Sequence, residues 1–209
     1  MQFLNPYKSF KINLKNLIPA IIFGGIACGI VPAFGQAKGP SSSRFNKDLS
    51  EANLTFTLPT GFKETRPASN NDGFDYAIAV PDGSFEIWFK AKSLKDNRPI
   101  KINDRQVNPD SAYVEIGHAQ AEDYVGSNKN FISRRVPPYQ LERYGADAGR
   151  TFLVNLPDQA DTKHYKYALI VVLQKNHVGA VEAVCFANEL GPGFFKNLSQ
   201  ASSCIRFNP

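Results

Sequence analysis

The stretch FDYAIAVPDGSFEIWFKAKSL, Phe74 to Leu94, constrains the fold more than any other part of this chain. Phe74, Tyr76, Ile78 and Val80 alternate with smaller or polar residues, Pro81-Asp82-Gly83 supplies turn chemistry, and Phe85, Ile87 and Phe89 repeat the alternation. Successive side chains of a strand point to opposite faces, so the pattern predicts a β-hairpin with one strongly apolar face. Burial alone explains these aromatics, because alternation with a period of two around a turn is what a core requires. They are assigned to folding rather than to recognition.

The rest of the chain extends this reading. Leu54, Phe56 and Leu58 lie on one side of an opening strand that Pro59 and Gly61 turn. Asn108-Pro109-Asp110 is a helix start, with Asn as cap, Pro at the first position and an acid favourable to the helix dipole. A helix from there to Tyr124 places Tyr113, Ile116, Gln120 and Tyr124 on one stripe, with Gly126 as the stop. Phe131 to Val136 reads as a strand closed by Pro137-Pro138, followed by a loop from Tyr139 to Arg150 and a strand from Thr151 to Leu156. Tyr165 to Gln174 is apolar on both faces and therefore needs cover on both. A strand from Ala180 to Ala187, a short helix from Phe194 to Ser202 and a strand from Cys204 to Phe207 complete the list. Antiparallel strands with segregated helices predict an α+β fold, an antiparallel β-sheet flanked by helices on both faces.

The N-terminal residues bear on compartment. Lys8, Lys11 and Lys15 precede an apolar stretch from Leu17 to Phe34 that ends in small residues, the layout of a secretory signal peptide over residues 1–35. Pro19, Pro32 and three glycines break the stretch, which is shorter than the roughly 20 apolar residues of a comfortable membrane span. Export to the periplasm or beyond the cell is the expectation, with cleavage after Gly35. Residues 36–46 are rich in Lys, Gly, Pro and Ser and read as a flexible linker, which leaves 47–209 as one domain. Gly25-Ile26-Ala27-Cys28 loosely matches a lipobox, so anchoring to a membrane through Cys28 is the alternative.

Charge and cysteine usage follow from the same cut. The chain carries 24 basic and 19 acidic residues, for a net charge of +5, but three of the lysines lie in the leader. The near balance of the remainder argues against a nucleic-acid partner. Cys185 and Cys204 are the pair left after the leader, and an oxidising compartment permits a disulfide between them; two buried thiols are the alternative.

Several segments taken together resemble the PsbP-like superfamily: an opening strand ending in LPTGF, the YAIAVPDGSFEIWFKAKSL hairpin, YGADAGRTFLV from Tyr144, and VEAVCFANELGPGFFKNLSQASSCIRF. The resemblance covers nearly the whole domain in order and spacing. It implies an α/β/α sandwich with a sheet of six or seven antiparallel strands. It implies no chemistry, because members mostly bind other proteins and a shared fold does not fix a shared function.

No nucleophile elbow, phosphate loop, His-x-x-x-His pair or four-ligand zinc spacing occurs in the sequence. Glu115, His118 and Glu122 share a side of the predicted helix and could face a metal, and Asp158, Asp161 and His164 are evenly spaced in a polar loop. A solvated helix face and a solvated turn are the preferred readings, since no partner cluster completes the first set and the second lacks the alternating oxygen ligands of a calcium loop. Lys90, Lys92, Lys95, Arg98, Lys101 and Arg105 concentrate positive charge after the hairpin, where an anionic ligand or acidic partner could use them. The same lysines would also protect a strand edge from unwanted pairing. Tyr139, Arg143, Tyr144, Asp147 and Arg150 decorate the long loop with residue types that interfaces favour. The reading is a non-catalytic binding or accessory domain without a cofactor, acting on an unknown protein or small ligand. The alternative is a small metal-dependent enzyme using His118 or His164.

Overall fold

The computed structural model describes residues 40–68, 73–96, 99–102, 105–126 and 130–209. The leader, Cys28 and Arg98 lie outside the described residues. Helix α1 spans Pro40–Glu51, and β1 (Leu54–Phe56) and β2 (Lys63–Thr65) follow. The predicted hairpin is β3 (Tyr76–Ala79) and β4 (Phe85–Ser93), and a small ribbon of β5 (Ile100–Ile102) with β6 (Arg105–Val107) leads into α2 (Ala112–Val125). Next come β7 (Phe131–Arg135), α3 (Pro138–Tyr144), β8 (Ala148–Asn155), β9 (Tyr167–Lys175), β10 (Gly179–Ala187), α4 (Pro192–Ala201) and β11 (Ile205–Phe207). Seven strands form one antiparallel sheet in the order β2-β3-β4-β10-β9-β8-β7. The fold is α+β, with helices on both faces of the sheet.

Alternation along the strands divides the core. Tyr76, Ile78, Phe85, Ile87, Phe89, Val181, Cys185 and Leu173 point to one face, where Phe45 and Leu49 of α1, Phe194 of α4 and Phe207 of β11 cover them. Ala77, Trp88, Phe152, Ile170, Val172, Val184 and Phe186 point to the other, beneath Ala121 and Tyr124 of α2. The hairpin is thus buried on both faces, and β4 carries Glu86 and Trp88 on the side that the sequence left unassigned. The close approach of α2 depends on Gly117: a Cβ there would lie 2.2 Å from the Phe152 ring, so any side chain would lift the helix off the sheet.

The start of α2 is satisfied twice. The Asn108 side chain accepts from the Asp110 amide at 2.9 Å and caps a short 3-10 turn, Pro109–Ser111, ahead of the α-helix. The fully buried Gln174 of β9 then accepts from the Tyr113 amide at 3.1 Å and donates to Asn176 Oδ1 at 2.9 Å. A helix end holds orphan donors, and a buried amide side chain meets one without adding charge.

Three expectations are corrected. Pro40–Glu51 is helical where residues 36–46 read as a flexible linker. Phe45 is 1% exposed and stacks on Tyr76 with ring centroids 4.5 Å apart, so the domain begins before residue 47. The segment Tyr139 to Arg150 is not a long loop: Pro138 opens α3, Gly145 closes it at φ 62°, and β8 starts at Ala148. A left-handed residue after a helix suits Gly, which has no Cβ to clash. Cys185 and Cys204 are free thiols, both buried. Cys185 faces the core from β10, whereas Cys204 precedes β11, and β11 pairs with β1 rather than with β10.

The β1–β11 pairing joins the two ends of the domain. Leu54 sits opposite Phe207 and Phe56 opposite Ile205. The Asn208 amide donates to the Asn53 carbonyl at 2.9 Å, and Lys175 Nζ donates to the Asn208 carbonyl at 2.6 Å.

Candidate functional site

A charged recess opens where β4 leaves the sheet. Lys92 and Ser93 end the strand, and the chain turns through Leu94, Lys95 and Asp96 before β5 begins at Ile100. The Leu94 amide donates to the Val178 carbonyl at 3.0 Å, which fixes the turn to the start of β10. Leu94 and Ile100 pack with Ala112 and Ala180 into a small core of their own, and this makes the floor rigid. Around it, Glu51, Lys92, Ser93, Lys95, Asp96, Pro99 and Pro109 enclose a cleft of about 440 Å³. That volume is within the range of small-ligand sites.

The electrostatics of the cleft centre on Lys92. Partial burial, and then the neighbouring charge of Lys90, hold its amine below the ordinary lysine value. Desolvation and a like charge both disfavour the ammonium form, and a bound anion relieves both. Glu51, which is 3.8 Å from Lys47, and Asp96 sit on the rim, so the recess presents both signs.

The other basic residues of this segment do not converge on it. Lys90 lies opposite Glu182 in the sheet, with its ammonium 6.0 Å from the centre of the Phe74 ring. Lys101 and Arg105 are exposed on the β5–β6 ribbon.

The residues around α3 divide by role. Tyr139, 43% exposed, and Arg143 stay on the surface. Tyr144 packs against the core cluster that holds both cysteines, and burial pushes its hydroxyl up to about 12. Asp147 accepts from the Asn176 amide at 2.8 Å, and Arg150 Nη1 donates to Ser133 Oγ at 2.9 Å. Tyr144, Asp147 and Arg150 therefore have structural work within the domain.

Among the described residues no group of three His, Cys, Asp or Glu side chains could hold a metal ion. His118 lies 3.4 Å from Glu122 and edge-on to Phe131, with ring centroids 5.2 Å apart. His164 contacts Asp158 at 2.6 Å, and both are exposed. Burial raises the Cys204 thiol to about 12 and the Cys185 thiol further, which keeps both in the unreactive protonated form.

Sequence reasoning missed a second polar feature, at the start of β4 on the face that also carries Lys92. Glu86 is buried and accepts from Trp88 Nε1 at 2.5 Å and from Lys163 Nζ at 2.6 Å, while the Tyr165 hydroxyl lies 3.4 Å from its other oxygen. Lys163 also donates to the Arg66 carbonyl at 2.6 Å and lies 5.5 Å from the Trp88 ring centre. The loop before β9 takes two successive left-handed residues, Lys163 at φ 51° and His164 at φ 62°, to deliver this side chain.

No protein-family model matches the chain. A search of curated proteins finds no match either. Among solved structures, the solution structure of cyanobacterial PsbP (CyanoP) from Synechocystis sp. PCC 6803 is similar, with 10% sequence identity and a TM-score of 0.43. The likeness covers 76% of this chain and 89% of that one. Among the described residues, no helix is long and apolar enough to cross a membrane.

Proposed function

We propose that this chain is an exported, non-catalytic binding domain that engages an anionic group of a protein or small ligand through the cleft at Lys92 and Lys95. The observation that carries the reading is the Lys92 amine, held in a recess where burial and Lys90 both work against its charge. A carboxylate or phosphate placed there replaces the lost hydration and neutralises the like-charge pair. Preorganised charge of this kind gives orientation more than raw affinity, which suits an accessory domain. Export rests on the basic, apolar and small-residue order of residues 1–35.

Titration with inorganic pyrophosphate, followed by NMR of the lysine side chains, tests the site. Lys92 and Lys95 are expected to shift together and saturably, while Lys101 stays put. Lys92→Ala is expected to weaken binding about tenfold, the worth of roughly 1.4 kcal/mol for one charge-assisted contact. Equal, unsaturable shifts across all lysines would remove the cleft from consideration.

A further inference from the structure

Glu182 is the buried carboxyl group that the fold leaves unmet. It is 4% exposed at the middle of β10, and among the described residues its Oε1 has no hydrogen-bond partner. The other buried polar side chains of the sheet differ in this respect. Glu86 is held by Trp88 and Lys163, and Gln174 by Tyr113 and Asn176. Register places Glu182 opposite Lys90 on β4 and opposite Val172 on β9, on the face that Val184 and Phe186 share beneath α2.

The charged groups acting on it come from two elements. Lys90 of β4 favours the ionised form, Asp123 of α2 opposes it, and β9 contributes only the aliphatic Val172. Burial outweighs both charges. We propose that Glu182 is a proton-operated latch for α2: protonated, it lets the helix lie on the sheet, and ionised, it loosens that seat.

The direction of the effect follows from linkage. Burial raises the Glu182 carboxyl from its ordinary 4.5 to about 8 in the folded domain. A group whose folded value is raised contributes stability that is fully present below about pH 4.5 and is lost as pH rises through about 8. That difference corresponds to a change of up to about three-thousandfold in the folding equilibrium constant. Ionisation beneath α2 puts an unsolvated charge against Asp123, so the helix is the element that yields.

Urea unfolding of the wild type and of Glu182→Gln between about pH 5 and pH 9 provides the test, since Gln keeps the shape and cannot ionise. The ratio of folding constants, variant over wild type, is expected to rise by two to three orders of magnitude across that range, on the order set by the shift. A ratio that stays constant overturns the latch. Carbon-13 NMR of the Glu182 carboxyl in the wild-type protein gives an answer even if the variant fails to fold. A midpoint above about pH 6 supports the proposal, and a midpoint below it, close to the ordinary carboxylate range, overturns it. Amide exchange localises the effect: α2 should lose protection with rising pH in the wild type beyond the intrinsic change, and a loss spread evenly over the sheet rules α2 out.

Discussion

Replacing Phe45 with Ala is expected to cost about 3 to 5 kcal/mol of folding stability, enough to unfold much of a domain of ordinary stability. The ring is 1% exposed, stacks on Tyr76 and meets Phe56 edge-on at 5.5 Å, so its removal empties a site that three surrounding aromatics cannot close. Chemical unfolding of Phe45→Ala beside Phe89→Ala measures this directly, and the two should be alike because both rings are buried in one cluster. A loss below about 1 kcal/mol would mean that α1 rests on the sheet without stabilising it. The result also sets the boundary for expression: a chain starting at Gln36 keeps the ring, and one starting at Lys47 does not.

Removing the Lys163 ammonium is the second large perturbation. Lys163→Met is expected to destabilise the domain by about 3 kcal/mol, because it leaves Glu86, whose side chain is 6% exposed, buried without its counter-charge. The lower end of the usual range applies, since Trp88 and Tyr165 still surround the carboxylate and Lys163 is itself 31% exposed. Adding Glu86→Gln to Lys163→Met should recover much of the loss, as the neutral amide needs no ammonium. If Lys163→Met costs no more than an exposed ion pair, near 0.5 kcal/mol, the loop before β9 is not pinned by charge.

The elements legible in the sequence are those whose local chemistry and tertiary role agree. The β3–β4 hairpin, the helical segment that runs from the Asn108 cap through α2 to Gly126, and the doubly apolar β9 show the periods and stop signals that the structure uses. Helix α1 was hidden because PSSSRFNKDLSE offers only Phe45 and Leu49 as apolar anchors, one turn apart among polar residues. Helix α3 had Pro138 at its first position and Gly145 after its last, but its few residues also fit a loop that joins two strands. Of the candidate site, Lys92 and Lys95 were legible as charge, but not the recess they enter. Its walls come from α1, β5 and the turn before α2, and no local pattern encodes their meeting. No local pattern marks Glu86 and Glu182 as buried, because what buries them arrives from segments distant in the chain.

The pairing of β1 with β11 also bears on the order in which the domain is made. The strand that closes the layer over Phe45 and Phe89 is complete only after Phe207 has been synthesised, since Leu54 and Phe56 find their partners there. Contacts between such distant segments form slowly, because a long loop must close before any of them contributes. Until then the apolar face of β3 and β4 lacks the cover of β11, and incompletely covered apolar surface is what chaperones hold. The last strand therefore ties the start of the domain to its end, so that contacts made early in the chain are completed only by residues made late.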